Sequence, residues 1–305
     1  NQFLDDLRQA DALINVVDIA GTTNEKGEPV EPLSYDPAND IRFLEVELDM
    51  WYAGIIKKGW DKFARQVQQE HSNIIKALAK QLSGLKVTEE MVEDAIKQLG
   101  LNPETPASWS EEKLNEMAVL LRKKTKPMIV AANKIDVKGA YENYERIKKE
   151  FPELMICPCS AESELALKEA ARHGLIKYIP GENSFSITGN LNDNQRRALE
   201  FINENVLKKY NSTGVQECIN RAVFDLLKCI AVFPGGLNKL ADQYGNILPD
   251  CFLLPEKSTA LDFAFKIHSD LGNNFIRAID VKTKRTVGKD YLLKNLDVIE
   301  IISSK

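Results

Sequence analysis

Along the chain the apolar positions change period repeatedly, and each change predicts an element. Apolar residues at 3, 4, 7 and 10 have helical spacing, and Ala12-Leu13-Ile14-Asn15-Val16-Val17 then reads as a buried strand. A polar stretch punctuated by Gly and Pro follows over 21–39. Apolar residues recur at 63, 67, 74, 78 and 82 with no Gly or Pro from 60 to 83, which predicts a long amphipathic arm folded as a coiled-coil-like hairpin. Thr88 and Ser110, each followed by two glutamates, supply the hydroxyl cap and first-turn negative charge of helix starts. Residues 41–124 are therefore predicted to be all helical.

From 127 the pattern becomes strand (127–132), helix (140–151), strand (154–159) and helix (162–173), an alternation that implies a parallel sheet. The α/β unit interrupted near residue 20 resumes there. Two further helices are predicted over Asp193–Lys209 and Val215–Leu227. Beyond Cys229, alternating stretches at Cys229–Phe233, Leu261–Ile267, Phe275–Asp280, Arg285–Val287 and Val298–Ile302 read as short strands of a separate small α+β domain. The expected organisation is 1–40 and 125–228 as two parts of one α/β domain, 41–124 as a helical insertion and 229–305 as the second domain.

Composition narrows the class. The 305 residues are 44% hydrophobic and 28% charged, an ordinary globular balance for about two domains. The longest apolar runs, such as 127–132, fall far short of the roughly 18–20 residues of a membrane span, and no signal-peptide pattern opens the chain. A cytoplasmic protein without a membrane partner is expected. Five cysteines, at 157, 159, 218, 229 and 251, match no zinc spacing and read as reduced thiols. His71 and His268 have no second metal-type side chain at a suitable spacing, so packing or surface roles are expected and no metal site. Trp51 and Trp60 are expected to fill the interface of the helical arm.

The net charge of −5 is unevenly spread: residues 57–86 carry seven Lys/Arg against two acids, while 87–120 carry eight acids against two lysines. Lys57, Lys58, Lys62 and Arg65 are therefore candidate RNA contacts, with a solvated charged face as the competing reading. Lys282, Lys284 and Arg285 form a second local cluster, for which a solvated charged turn is a nearly equal competing reading. No DNA specificity is expected of so acidic a chain.

The most specific chemistry follows the strand 127–132. Asn133-Lys134-Ile135-Asp136 has the N-K-x-D form and lies at a strand's carboxyl end, where ligands bind in open α/β sheets. The Asp136 carboxylate can accept from guanine N1–H and the 2-amino group, whereas adenine offers no donor at either position. Asn133 can bond the N7 edge and a neighbouring loop, and the Lys134 stem can lie over the base. One helix and one strand later, Ser160-Ala161 stands where a loop can offer a backbone N–H to guanine O6. Asp18-Ile19-Ala20-Gly21 has the D-x-x-G form that holds Mg²⁺ and the γ-phosphate, but the seventeen residues before it cannot hold a phosphate loop and another strand. No G-x-x-x-x-G-K-[ST] occurs, so D-x-x-G reads as a look-alike, with no catalytic residue assigned. A second decoy, Asn238-Lys239-Leu240-Ala241-Asp242, has one residue too many and reads as a loop.

The N-K-x-D and S-A pair resembles the translation-factor-related GTPases. The stretches NQFLDDLRQADALINVVD, KGWDKF, KPMIVAANKID, STGVQECINRAVFDLLK, LADQYGNILPD and ALDFAFKIHSDLGNNFIRAID are similar, more specifically, to the Obg-related YchF (Obg-like ATPase) family in its archaeal branch, essentially from end to end. The resemblance implies an α/β fold: a partial P-loop NTPase G-domain with a parallel sheet, the helical insertion, and a C-terminal TGS domain of ubiquitin-like β-grasp fold. It implies GTP/GDP as ligand, GTP hydrolysis by the complete protein with Mg²⁺, and a ribosome or ribosomal RNA partner. It also implies that the true D-x-x-G belongs to an earlier strand, so this chain is expected to be inactive alone. Bacterial and eukaryotic members typically carry N-x-x-E and are associated with ATP; Asp136 points to GTP. An ATP-preferring member, and a non-catalytic ribosome- or RNA-binding module working through the arm and the TGS domain, are the alternatives.

Overall fold

A computed structural model describes residues 7–237, 240–241 and 244–304. The chain divides into two compact units, Asn1–Ala222 and Val223–Lys305. Of the helix predicted at 3–10, residues 3–6 lie outside the described residues, and 7–9 form a turn.

The first unit enters its sheet through β1 (Leu13–Asp18). Lys126, fully buried, fastens the approach by donating from Nζ to the carbonyls of Arg8 (2.8 Å) and Ala10 (2.6 Å). Five helices follow: α1 (Ala38–Lys57), α2 (Trp60–Gln69), α3 (Ile74–Gln81), α4 (Glu89–Leu99) and α5 (Glu111–Thr125). The caps read from sequence are present, with Thr88 Oγ1 accepting from Met91 N–H and Ser110 Oγ from Lys113 N–H.

The predicted coiled-coil-like arm is corrected. His71 takes a positive φ of 49° and Asn73 caps α3 by accepting from the Ile75 and Lys76 amides, so the apolar stretch 60–83 is broken into two short helices. These wrap with α1, α4 and α5 around one shared core that includes Tyr52, Trp60, Leu78, Val92 and Leu121. Trp60 stacks on Trp109 with ring centroids 5.4 Å apart, and Trp51 is half-buried against the same core. α1 joins two cores, since its first turns (Ala38, Ile41) pack on the sheet and its last (Tyr52, Ile56) in the bundle.

The sheet resumes with β2 (Met128–Asn133), then α6 (Ala140–Glu150), β3 (Met155–Pro158) and α7 (Ala161–Arg172). All three strands are parallel in the order β1-β2-β3, with Asp18 beside Asn133 and Ala132 beside Pro158. β2 is buried from Met128 to Ala132, which explains why it reads as a continuous apolar run rather than an alternation. A short hairpin of β4 (Ile176–Lys177) and β5 (Ser186–Ile187) precedes α8 (Asp193–Ile202) and α9 (Val215–Asn220). Both helices run on through wider π turns, Asn203–Leu207 and Arg221–Leu226.

The second unit is a five-stranded mixed sheet of β6 (Cys229–Pro234), β7 (Phe252–Pro255), β8 (Phe275–Asp280), β9 (Arg285–Val287) and β10 (Asp297–Ser303), ordered β7-β6-β10-β8-β9. β10 runs parallel to β6 and antiparallel to β8. Helices α10 (Ala260–Ile267) and α11 (Ser269–Asn273) complete the ubiquitin-like β-grasp. The strand expected at Leu261–Ile267 is therefore a helix. Thr259 and Asp262 form a reciprocal capping box, and Ala260, Phe263 and Ala264 present a buried helical stripe. The sequence reading lacked β7. The decoy at 238–242 falls largely outside the described residues.

Candidate functional site

The carboxyl ends of β1, β2 and β3 converge, and the loops leaving them are tied to one another by hydrogen bonds. Ile19 N–H donates to Asn133 O (3.0 Å), Cys159 N–H to Ala132 O (2.9 Å) and Ile135 N–H to Cys159 O (3.1 Å). Asn133 Oδ1 accepts from Ala161 N–H at 2.9 Å, so the two loops singled out by sequence are joined directly. That amide, assigned from sequence to guanine O6, is here engaged by Asn133. Tyr210 adds a further tie, its hydroxyl donating to Ile135 O at 3.2 Å.

Lys134 takes a positive φ of 63° and turns its side chain towards β1. Its Nζ donates to Asp18 Oδ2 (2.9 Å) and Thr22 Oγ1 (2.6 Å). Asp18 also accepts from the amides of Ala20 (3.1 Å) and Thr22 (3.0 Å) and the hydroxyls of Thr22 (2.6 Å) and Thr23 (2.9 Å). Burial pushes the Asp18 carboxyl up, but the hydrogen bonds from Thr22, Lys134 and Thr23 outweigh it and hold the group below its ordinary value. Gly21 serves the same turn: its φ is +57°, and a Cβ there would stand 2.2 Å from Tyr35 O. In D-x-x-G, then, the Asp gathers the loop and the lysine, and the Gly permits the turn. Sequence reasoning missed this pairing because Lys134 and Asp18 lie 116 residues apart.

Asp136 differs. It is half-buried beside these ties, and its carboxylate accepts no hydrogen bond among the described residues. An unspent carboxylate on a fixed loop is suited to two adjacent donors on a planar ligand edge. Ser160 is buried, its amide donating to Thr213 O (2.8 Å) and its hydroxyl bonded to Ser163 (2.8 Å). Glu162 is exposed.

The basic candidates lie elsewhere. Lys58, which caps the end of α1, and Lys62 and Arg65, on α2, are exposed, while Lys57 pairs with Glu111 at 2.8 Å, so the acidic block partly neutralises the basic one. Lys282, Lys284 and Arg285 are exposed on the β8–β9 turn, whose backbone is gathered by Asp280. His71 and His268 are both exposed, and His268 Nδ1 caps α11. Among the described residues no group of three or more His, Cys, Asp and Glu could hold a metal ion, and no helix is long and apolar enough to cross a membrane.

Comparison with known proteins identifies the family. Residues 131–235 match a family described as "Obg-like GTPase YGR210-like, G4 motif-containing domain", and residues 243–303 match the TGS domain. The chain is 52% identical over 307 residues to "Uncharacterized GTP-binding protein MJ1332" of Methanocaldococcus jannaschii, covering 100% of this chain and 76% of that protein. It superposes on a GTP binding protein from Pyrococcus horikoshii OT3 with a TM-score of 0.79 and 44% identity, covering 99% of this chain and 81% of the other. The Schizosaccharomyces pombe YchF GTPase shares the fold at a TM-score of 0.54 and 18% identity, over 99% of this chain and 75% of the other. With an α/β sheet carrying N-K-x-D after its second strand and a separate β-grasp unit, the chain belongs to the Obg-like family of GTP-binding proteins, in company with archaeal relatives.

Proposed function

We propose that this chain reads guanine through Asp136, with Asn133, Lys134, Ser160 and Ala161 fixing the loops around the base, in a GTPase that hydrolyses GTP to GDP and phosphate. The observation that carries the reading is the contrast at the sheet edge: Asp18, Lys134, Asn133 Oδ1 and the Ser160 amide are committed, and the Asp136 carboxylate is free to accept from N1–H and the 2-amino group. A charge-assisted pair of such bonds supplies a discrimination of ~10²–10³-fold over a base that offers neither donor.

Hydrolysis needs groups that position water and neutralise phosphate charge. The 305 residues contain no phosphate loop of the G-x-x-x-x-G-K-[ST] form. Asp18, the D-x-x-G carboxylate at the end of β1, has Oδ2 taken by Thr22, Thr23 and Lys134, so the described residues do not fit Mg²⁺ and no step is assigned to it. These residues alone are expected to release no phosphate from GTP or ATP; release above a denatured control would assign chemistry to Asp18. Titration of the full-length gene product with GTP, ATP and xanthosine triphosphate tests the base reading. Wild type should favour GTP and Asp136→Asn should gain xanthosine triphosphate, whose 2-carbonyl faces the new amide donor. Equal affinity of wild type for ATP and GTP would overturn it.

A cytoplasmic role at the ribosome is the second part of the proposal, supported by the exposed cations Lys58 at the end of α1 and Lys62 and Arg65 on α2, with Lys57 beside them, and by Lys282, Lys284 and Arg285. Glutamate at 57, 58, 62 and 65 should abolish ribosome co-sedimentation, and the wild-type interaction should weaken steeply with salt. Sedimentation that ignores both the charge reversal and the salt would leave these residues as a solvated face.

A further inference from the structure

The stretch Ser212-Thr213-Gly214 opens α9 and has no part in the base contacts, yet all three residues are buried or in tight contact at the end of β3. Thr213 O accepts the Ser160 amide at 2.8 Å. Gly214 has φ +81°, and a Cβ there would lie 1.9 Å from Pro158 O, so only glycine lets this turn rest on the strand end. Ser212 Oγ closes the turn by accepting Gly214 N–H at 3.0 Å.

The turn is also held by a charge. Glu164, one turn into α7 and 5% exposed, accepts at Oε2 from Thr213 Oγ1 (2.6 Å) and from the Tyr178 hydroxyl (2.8 Å). It has no salt-bridge partner among the described residues. A buried carboxylate without a cation is costly unless its hydrogen bonds are made, so the two hydroxyls fix Glu164 and Glu164 fixes them. Burial, and then the hydrogen bond to Glu164, push the Tyr178 phenol up to about 12, so it stays the donor of this bond well above neutral pH. The result is a strap: Tyr178 to Glu164 to Thr213 to Ser160, ending one residue before Ala161.

We propose that Thr213 and Glu164 are positioning residues for base selectivity, clamping the Ser160–Ala161 loop so that the Ala161 amide meets guanine O6 once the Asn133 side chain releases it for the N7 edge of the base. The inference rests on the guanine reading of Asp136. It predicts that loosening the clamp damages recognition of the O6 edge while Asp136 still holds the N1 and 2-amino edge. GDP and 6-thio-GDP separate the two edges, because sulfur at position 6 is the poorer acceptor.

The test compares wild type, Thr213→Val, Thr213→Ser and Asp136→Asn in the full-length gene product. Binding of GDP and 6-thio-GDP is measured by calorimetry, and amide exchange is followed in the peptide spanning 158–164. Thr213→Val should weaken GDP about tenfold, the scale of one lost hydrogen bond beside a buried charge. It should also bring the GDP to 6-thio-GDP ratio towards one and speed exchange at Ser160 and Ala161, and Thr213→Ser should restore all three signals. Wild-type affinity, ratio and exchange in Thr213→Val would overturn the clamp; if Asp136→Asn still loses GDP in the same series, the guanine reading survives that failure. Should Thr213→Val not fold, Tyr178→Phe strips the other donor from Glu164 and is judged by the same signals. If no protein in the series binds GDP, the guanine reading fails, and unchanged exchange at 158–164 still overturns the clamp.

Discussion

Two aspartates one strand apart put the same side chain to opposite uses. Asp18 closes β1 and gathers two amides, two hydroxyls and the Lys134 ammonium. Asp136, in the loop after β2, gathers none of the described groups. A carboxylate whose lone pairs are filled internally adds to the fold and has little left for a ligand; one left open on a rigid loop does the reverse. The comparison separates D-x-x-G from N-K-x-D by geometry, although both are four-residue patterns of equal apparent weight.

The sharpest way to break the comparison is to measure affinity and stability in the same variant. Asp136→Asn should weaken GTP by ~10²-fold or more while moving unfolding free energy by less than about 0.5 kcal/mol. A large loss of stability instead would mean that Asp136 has internal partners after all. Asp18→Asn should do the opposite, lowering stability by about 2 kcal/mol in urea unfolding, because four neutral donors and one ammonium lose part of their acceptor.

Acid titration sharpens the same contrast at smaller amplitude. The folded Asp18 carboxyl sits below its ordinary value of 3.8, so its contribution to stability is present above that value and lost as pH falls through the lowered one. Unfolding followed downward from pH 5 should therefore fall more steeply in wild type than in Asp18→Asn, and parallel curves would deny Asp18 its role. Asp280 offers the control in the second unit. It gathers the Lys282 and Thr283 amides and the Thr283 hydroxyl but no ammonium, and burial is outweighed by those bonds so that its carboxyl also lies low. Asp280→Asn should cost about 1 kcal/mol, with guanine-nucleotide affinity unchanged.

How much of this was legible depended on range. β1, β2 and β3 announced themselves as apolar runs, and Thr88 and Ser110 as caps, because those signals are local. Residues 261–267 misled because Leu261, Phe263, Phe265 and Ile267 alternate as a strand does, while the deciding signal was Thr259 three residues ahead of Asp262. The break at His71–Asn73 was written only in the Asn73 cap, with no Gly or Pro to mark it. Of the candidate site, the N-K-x-D pattern of Asn133, Lys134 and Asp136 was visible from spacing. Their supports were not: Thr213 meets Glu164 across 49 residues and Lys134 meets Asp18 across 116, contacts that only the folded chain creates.

The stacked pair in the helical bundle has a spectroscopic consequence. The chain has three tryptophans, and Trp51, Trp60 and Trp109 all belong to the bundle and its core. Trp60 is 5% exposed, its indole N–H has no partner among the described residues, and it faces Trp109 at an interplanar angle of 24°. Intrinsic emission excited at the red edge of indole absorption is therefore a local dye for the bundle, blind to the three-stranded sheet and to the β-grasp unit. A melt read by that emission and again by far-ultraviolet circular dichroism reports two different populations of residues. Any gap between their midpoints measures how independently the bundle comes apart.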